Sequence, residues 1–243
     1  MKKKILLTGS NGNLAKEIIK SISDFEIIGF DIQEENYNNT DRYYQVDLSN
    51  QSRIKEFYTT LKELELIPDV IINNAALDSV PSRDVSNPYW NISKFSDFFK
   101  VNVKGPALLF TLISSYWVEN NIEGQVINIS SIYAEVSPDP NLYQKGFIKD
   151  VNYGASKAAF TNIFKQFAVI FSKNNITINF IELGGVEAEN QDPVFRSNYL
   201  NRVPDTSFVK IENLGKLILL LLDLEKGGIN GTTIKINSGY NLI

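Results

Sequence analysis

Lys4-Ile-Leu-Leu-Thr-Gly-Ser-Asn-Gly-Asn-Leu-Ala15 is the stretch of this 243-residue sequence that decides the fold. Its first part is a short apolar run that predicts a buried strand, and residues 14–22 have the apolar spacing of a helix. Gly9 and Gly12 lie between them, where glycine allows a tight turn and a close approach of the backbone to a ligand. A turn of this kind at the start of a helix predicts a site for the pyrophosphate of a dinucleotide.

The second predicted strand, residues 26–30, is followed directly by an acidic residue, Asp31, 22 residues after Gly9. A carboxylate at this distance suits the ribose hydroxyls of NAD and repels the 2′-phosphate of NADP. No arginine or lysine follows Asp31 closely, so the sequence predicts NAD as the cofactor. The alternative is an ordinary glycine and asparagine turn followed by a solvated Asp31.

Tyr153 and Lys157 are four residues apart, so on a helix they share one face. A lysine ammonium beside a phenol favours the phenolate, so we expect Lys157 to lower the pKa of Tyr153 from about 10 toward neutral pH. Such a tyrosine can exchange a proton with a carbonyl or an alcohol. This spacing also occurs by chance on helix surfaces, and its weight here depends on the glycine turn at the other end of the chain.

Strand-like apolar runs alternate with helix-like segments along the whole sequence. Further strands are predicted at 43–46, 69–72, 125–129, 177–181 and 232–236, and helices at 53–66, 98–118, 153–172 and 212–223. We expect Ser49 to cap the helix over 53–66. Regular alternation predicts an α/β fold: a Rossmann-type doubly wound parallel sheet in a three-layer α/β/α sandwich, within one domain over residues 1–243.

The composition excludes several classes of site. The chain has no cysteine and no histidine, which excludes disulfides, thiol nucleophiles and His-based triads, and we expect no metal. The net charge of −4 gives no general basis for nucleic-acid binding. The longest apolar helical run, residues 217–222, is far shorter than the ~20 residues of a membrane span. We therefore expect a soluble cytoplasmic protein, and the many Asn, Lys and Ile residues suggest a bacterial source.

With these motifs the chain resembles the short-chain dehydrogenase/reductase family, in its single-domain branch, over nearly its whole length. The family's glycine turn matches Thr8, Gly9 and Gly12, although Asn13 or Ala15 stands in place of a later glycine. The family's N-N-A-G motif appears as residues 73–76 with its last glycine replaced by alanine, and its adenine-contacting acidic residue matches Asp47. The resemblance implies that NAD is bound by Thr8, Gly9, Asn11, Gly12, Asn13, Leu14, Asp31, Asp47, Leu48, Asn74, Ala75, Ala76, Tyr153, Lys157, Gly184 and Val186.

The resemblance also implies a catalytic set of four residues, Asn102, Ser131, Tyr153 and Lys157. Tyr153 would exchange the proton, Ser131 would hydrogen-bond the substrate oxygen, and Lys157 would also hold the nicotinamide ribose. Asn102 would maintain a kink in its helix that orders a proton-relay water. Each residue alone has an ordinary alternative, such as a turn cap for Ser131 or a solvated surface position for Lys157.

Two segments depart from the family pattern. The family's Pro-Gly pair is Leu183-Gly184 here, and its usual downstream threonine is absent at Glu187-Ala188. This segment normally shapes the pocket for the nicotinamide amide. We also expect residues 132–150 to form a long loop over the active site and residues 184–209 to form a substrate lid.

The long loop gives a looser resemblance to bacterial family members of surface-carbohydrate pathways, including routes to nonulosonic acids. Tyr133 and Tyr143 could stack on the faces of a sugar. Arg196 and Arg202 could bind a phosphate or a carboxylate. The alternatives are a polar surface loop and arginines that are solvated or paired with acidic neighbours. Those acidic neighbours are Glu187, Glu189 and Asp205.

These features predict an NAD-dependent oxidoreductase that interconverts a secondary alcohol and a ketone on a polar, sugar-derived small molecule. One alternative is a non-catalytic NAD-binding scaffold or regulatory protein of the same fold. Another is a sugar-nucleotide epimerase or dehydratase of the extended branch, which would require a larger C-terminal domain than we expect. Extra apolar residues on the helices around 98–118 and 160–172 predict a homodimer or homotetramer, and the alternative is their burial within the monomer.

Overall fold

The computed structural model describes residues 2–79, 81, 94–188, 191–224 and 228–242. Within these residues seven strands form one parallel sheet in the order β3-β2-β1-β4-β5-β6-β7. The strands are β1 (Lys4–Thr8), β2 (Glu26–Asp31), β3 (Arg42–Gln45), β4 (Val70–Asn73), β5 (Gly124–Ser131), β6 (Ile176–Leu183) and β7 (Thr233–Ile236). The helices are α1 (Asn13–Ser21), α2 (Gln51–Glu63), α3 (Phe95–Phe99), α4 (Gly105–Glu119), α5 (Val151–Ile170), α6 (Pro193–Arg202) and α7 (Ile211–Asp223).

Successive residues of the strands enter two separate hydrophobic cores, one on each face of the sheet. Leu6 of β1 belongs to the core formed with α2, α4 and α5, whereas its neighbours Ile5 and Leu7 belong to the core formed with α1 and α7. Burial on both faces explains why the strands are continuously apolar rather than alternating. The predicted Rossmann-type doubly wound sheet in a three-layer sandwich is therefore confirmed.

The order of the strands reverses between β1 and β4, and hydrogen bonds join the turns that follow these two strands. The Thr8 hydroxyl oxygen accepts from the backbone N–H of Asn74 (3.0 Å) and of Ala75 (2.9 Å). The side-chain amide of Asn74 donates to the Gly9 carbonyl (2.9 Å). In sheets of this type such a reversal opens a crevice at the carboxyl ends of the strands.

The predicted cap of α2 is wrong by one residue. Asn50, not Ser49, has the extended backbone of an N-cap, and its side-chain oxygen accepts from the backbone N–H of Ser52 and of Arg53. The Ser49 hydroxyl donates instead to the Asp47 carboxylate (2.8 Å). Asparagine caps a helix as well as serine does, so composition alone does not distinguish the two neighbours.

The single helix predicted over residues 98–118 is interrupted in the structure. A π-helical turn, Lys100–Lys104, separates α3 from α4. Turns of this wider type inside helices occur often at functional sites. The turn contains Asn102, where the resemblance implied a kink.

Aspartates begin the two helices that flank the long loop. Asp150 accepts from the backbone N–H of Asn152 (2.9 Å), so α5 starts two residues before Tyr153. Asp192 accepts from the backbone N–H groups of Val194 and of Phe195, both at 3.0 Å, so α6 lies inside the predicted lid. The caps therefore fix where the loop before α5 and the segment before α6 come to an end.

The apolar residues of α5 that predicted self-association are mostly used inside the chain. Phe160, Phe164 and Ala168 are buried in the core on that face. Val169 and Ile170 are exposed, at 76% and 62%. Three further apolar residues of this segment pack against the same core while partly buried, namely Ile163, Phe167 and Phe171. The second apolar face is thus reduced to a small patch, and the oligomeric state stays a prediction.

Candidate active site

A cavity of about 920 Å³ lies at the carboxyl ends of β1, β4 and β5, where the strand order reverses. Cavities of this size hold small molecules and cofactors. Most of the predicted cofactor residues line it: Gly9, Gly12, Asn13, Leu14, Asp31, Asp47, Leu48, Asn74, Ala75, Ala76, Tyr153, Lys157 and Gly184. The structure thus brings together residues from the first turn, the ends of β2 and β4, and α5.

Thr8, Asn11 and Val186 do not line this cavity, although they were predicted as cofactor residues. The Thr8 side chain is taken up by the turn after β4. The Asn11 side chain holds the segment after β2 by donating to the Glu35 carbonyl (2.6 Å), and Val186 forms an isolated bridge with Val209. Their role as cofactor residues stays a prediction.

The first turn fits the pyrophosphate of a dinucleotide. Gly9 has φ +64°, and a Cβ at this position would lie 2.8 Å from the Ala75 Cα. Gly12 is the N-cap of α1 and offers no side chain to the first amides of the helix. A helix N-terminus approached through glycine is where phosphate groups bind in this type of fold.

Asp31 lies at the end of β2 with its carboxylate held by backbone donors. One oxygen accepts from the Asn11 N–H (3.1 Å) and the other from the Ile32 N–H (2.8 Å). Among the described residues that line the cavity, the lysines are Lys149 and Lys157, and both lie beside Tyr153 rather than beside Asp31. The Asp31 end of the cavity is therefore acidic.

Tyr153 is partly buried and lines the cavity, with its phenol hydrogen-bonded to the Ser131 hydroxyl. Burial raises the pKa of Tyr153 well above its ordinary value, and the carboxylate of Asp78 raises it further, while the Ser131 hydrogen bond lowers it. The phenol is therefore protonated at neutral pH. In this state it can donate a proton to a substrate oxygen that also contacts Ser131.

The expectation that Lys157 lowers the pKa of Tyr153 below its ordinary value is wrong for this structure. The Lys157 ammonium lies 5.9 Å from the centroid of the Tyr153 ring and donates to the Ile129 carbonyl (3.1 Å). Burial lowers the pKa of Lys157 itself to about 8. Desolvation is the largest cause of the pKa shift of each of these two side chains.

Asn102 joins two segments that line the site through hydrogen bonds of its side chain. Its side-chain oxygen accepts from the Leu77 N–H (2.6 Å), and its amide donates to the Leu77 carbonyl and to the Ser156 hydroxyl, both at 2.9 Å. It does not line the cavity. The π-helical turn thus ties the segment after β4 to α5, the helix that carries Tyr153.

The substrate end of the cavity is rich in aromatic rings. Tyr133 packs edge-on against Tyr153, and its hydroxyl is 3.1 Å from that of Tyr143. Tyr143 stacks in turn on Phe195 of α6, with ring centroids 5.6 Å apart. Tyr133 and Tyr143, both predicted as substrate residues, therefore lie where a substrate would meet Tyr153.

Arg196 and Arg202 do not reach this cavity. Arg196 pairs with Glu187 and lies over the Phe208 ring, and Arg202 lies over the Tyr240 ring, 5.0 Å from its centroid. In place of the predicted grip on a substrate phosphate, the two arginines contact Glu187, Phe208 and Tyr240. Glu189, the other acidic neighbour considered, lies outside the described residues.

A family model described as Enoyl-(Acyl carrier protein) reductase matches residues 30–241. A crystal structure of a short chain dehydrogenase from Leptospira borgpetersenii with bound NAD⁺ superimposes with a TM-score of 0.88 at 25% identity, covering 99% of this chain and 93% of that one. The chain belongs to the short-chain dehydrogenase/reductase family. The resemblance inferred from the motifs is thereby confirmed, and the family's members are oxidoreductases.

Two curated members of the short-chain dehydrogenase/reductase family show the range of this similarity. The chain is 28% identical to a 7alpha-hydroxysteroid dehydrogenase of Paraclostridium sordellii, over 81% of this chain and 71% of the relative. It is 24% identical to an L-xylulose reductase of Caenorhabditis elegans, over 98% of this chain and 96% of the relative. Both names describe oxidation or reduction of a small molecule. Of the helices in the described part of the chain, none has the length and apolar character needed to cross a membrane.

Within this family site, the sequence interpretation missed several cavity residues. Asp78 lies two residues after the altered N-N-A-A motif, and Lys149 lies four residues before Tyr153 in the sequence, so both positions carried a usable signal. Others come from the loop and the lid, where the fold had to be known first. These are Phe147, Gln191, Asp192, Phe195 and Tyr199.

Lys157→Met is expected to stabilise the cofactor-free protein at pH 7 by about 2–3 kcal/mol, because the folded chain buries an ammonium whose pKa is lowered to about 8. Below pH 8 Lys157 is charged in both the folded and the unfolded chain, so the full free-energy cost of burying its ammonium is present. Between pH 8 and the ordinary pKa of about 10.5 the folded protein releases its proton first, so the gain shrinks as pH rises. Urea unfolding at pH 7 and at pH 9.5 measures this difference.

The control for this variant is Lys165→Met, which removes an exposed ammonium from the same helix. We expect Lys165→Met to change the free energy of unfolding by less than about 0.5 kcal/mol, as is usual for surface positions. A Lys157→Met protein less stable than the parent at pH 7 would show that the ammonium is not a net cost in the folded state.

Proposed function

We propose that this protein is an NAD-dependent oxidoreductase that interconverts a secondary alcohol and a ketone on a polar, sugar-derived substrate. The observation that carries the proposal is the partly buried Tyr153, which lines the cavity with its phenol hydrogen-bonded to Ser131. When bound, the nicotinamide cofactor supplies the hydride acceptor or donor. The residues of this chain supply the proton and hold the substrate oxygen.

Tyr153 and Ser131 divide the work on the substrate oxygen. In the reductive direction Tyr153 donates its proton to the oxygen as the carbonyl becomes an alkoxide, and Ser131 donates a hydrogen bond to the same oxygen. In the oxidative direction the same phenol must first lose its proton, which is unfavourable at neutral pH because its pKa is raised. Reduction is therefore favoured at neutral pH and oxidation at alkaline pH.

The preference for NAD rests on the acidic character of the cavity beside β2. A 2′-phosphate next to the Asp31 carboxylate would place like charges together, and the lysines that line the cavity lie at its other end. Ribose hydroxyls would donate to the same carboxylate. The charge at this position therefore favours NAD over NADP.

Calorimetric titration with NADH and with NADPH tests this preference. We expect the parent protein to bind NADH at least about 100-fold more tightly, since a difference of about 2.8 kcal/mol corresponds to that ratio. Asp31→Asn keeps the size of the side chain and removes its charge, so the ratio should fall by about tenfold or more. Asp47→Asn is the matched control at the neighbouring carboxylate. Equal affinities of the parent protein for both cofactors would contradict the NAD assignment.

The proposal of a sugar-derived substrate rests on the walls around Tyr153. The partly exposed ring of Phe195, stacked on the buried Tyr143, offers flat apolar surface for the C–H face of a sugar. Polar groups stand beside them, since the Gln144 amide donates to the Asp192 carboxylate (2.8 Å) at the cavity wall. Such a mixture of rings and amide or carboxylate groups suits a polyhydroxylated molecule.

A panel of polyols and ketoses, including xylitol and L-xylulose, tests the substrate class beside a hydroxysteroid of similar size. Turnover on polyols or ketoses with none on the steroid supports the proposal, and the reverse contradicts it. Tight NADH binding without turnover on any compound would favour the alternative of a non-catalytic scaffold. We place the protein in the cytoplasm as part of the same proposal, acting as a homodimer or homotetramer.

A further inference from the structure

An ion pair stands beside the catalytic phenol. The Lys149 ammonium lies 2.7 Å from a carboxylate oxygen of Asp78 and donates a second hydrogen bond to the Ser79 carbonyl (2.7 Å). The Lys149 side chain is only 10% exposed, whereas Asp78 is 52% exposed. Both residues line the cavity. The pair joins the segment after β4 to the loop before α5, two elements that converge at Tyr153.

Lys149 is closer to Tyr153 than the family's own lysine is. Its ammonium lies 5.0 Å from the centroid of the Tyr153 ring, compared with 5.9 Å for that of Lys157. The Lys157 ammonium instead donates a hydrogen bond to the Ile129 carbonyl. Within the described residues, Lys149 is therefore the nearer of the two positive charges that face the phenol ring.

Two further side chains that face Tyr153, those of Ser131 and Tyr133, are neutral and contribute no charge beside its phenol. Ser131, at the end of β5, presents a neutral hydroxyl, and Tyr133, in the turn that follows, presents a phenol whose pKa is raised by burial. Among the residues that the structure describes, the charged groups that face Tyr153 are Lys157 on its own helix, together with Asp78 and Lys149. The field of Asp78 also acts on both Tyr153 and Lys157.

We propose that Asp78 and Lys149 are positioning residues that act through Tyr153, with opposite charges that shift the proton affinity of its phenol in opposite directions. The proposal deepens the proposed function and rests on its assignment of Tyr153. Lys149 without Asp78 would favour the phenolate, because an ammonium stabilises a neighbouring negative charge. Asp78 without Lys149 would favour the neutral phenol. The two substitutions therefore have effects of opposite sign on the same proton.

The experiment is the pH dependence of kcat/KM for polyol oxidation with NAD⁺, in which activity rises as the base loses its proton. Lys149→Met should move the midpoint of this rise to higher pH by about one unit, and Asp78→Asn should move it to lower pH by a similar amount. The double variant should return close to the parent midpoint. The polyol is the one from the panel with the highest turnover.

A titration of the Tyr153 phenol that needs no substrate should show the same shift of the midpoint in each variant. The ultraviolet absorbance of tyrosinate is followed against pH with NAD⁺ present, and each variant is compared with its own Tyr153→Phe version. The difference isolates Tyr153 from the other tyrosines. This reading decides the proposal even when no compound of the panel is turned over.

Controls separate charge from structure. Lys149→Arg keeps the positive charge and should keep the parent midpoint, and Lys145→Met removes an exposed ammonium from the same loop with no displacement expected. Equal midpoints in Lys149→Met, Asp78→Asn and the parent, with only a lower rate, would overturn the proposal in favour of a purely structural pair. Full activity in Tyr153→Phe would instead overturn the proposed function, so the two failures are distinct.

Discussion

Tyr153→Phe is expected to reduce kcat by about 10³-fold, within the range that general acid–base catalysis contributes, while NADH binds with nearly the parent affinity. The substitution removes the hydroxyl that meets Ser131 and leaves the ring in place against Tyr133. The phenol donates the proton, whereas many other residues are predicted to share in binding the cofactor. We therefore expect kcat to fall far more than the affinity for NADH. Steady-state kinetics and calorimetry on the same preparation measure both quantities.

Tyr58→Phe is the control for this loss. Tyr58 lies on α2, is partly buried against the core and does not line the cavity. Removing its hydroxyl should leave kcat within about twofold of the parent, as for substitutions away from a site. If Tyr153→Phe kept more than a tenth of the parent rate, another group would have to move the proton, and the chain offers no histidine for that task.

Features that depend on neighbouring residues could be predicted from the sequence. The apolar strands, the glycine turn and the spacing of Tyr153 and Lys157 are local patterns, and each has a physical reason within a few residues. The parallel sheet followed from their alternation, because consecutive parallel strands need a crossover helix. For the same reason the sequence alone assigned Gly9, Gly12 and Asp31 to one cofactor site.

Features that depend on side-chain direction could not be predicted in this way. Arg196 turns toward Glu187 and the Phe208 ring, and nothing in its neighbouring sequence indicates that it points away from the cavity. Asp78 and Lys149 are distant in sequence, and their contact depends on how two loops pack above the sheet. The pKa of Tyr153 is a further case, because burial of the phenol is a property of the folded chain.

The second large effect is expected for Gly9→Ala, which should weaken NADH binding by about 100-fold, or about 2.8 kcal/mol. Gly9 has φ +64°, a conformation that costs alanine about 1 kcal/mol. A Cβ here would also lie 2.8 Å from the Cα and 3.0 Å from the Cβ of Ala75. Neither contact is at the end of a flexible side chain, so the two turns must move apart.

That movement would break the hydrogen bonds between the turns after β1 and β4. The Asn74 amide would lose the Gly9 carbonyl, and the backbone N–H of Ala75 would lose the Thr8 hydroxyl. The surface that approaches the pyrophosphate would then no longer be in place. Calorimetric titration with NADH measures the loss, and urea unfolding measures the accompanying loss of stability, which should exceed the conformational cost alone.

Gly231→Ala is the matched control because it isolates the cost of the backbone conformation. Gly231 has φ +71°, close to that of Gly9, but the nearest atom to an added Cβ is the Ala168 Cβ at 3.8 Å, an ordinary contact. Its variant should lose about 1 kcal/mol of stability and bind NADH like the parent. If Gly9→Ala behaved in the same way, the close approach to Ala75 would not be what shapes the cofactor site, and the glycine would be needed only for its turn.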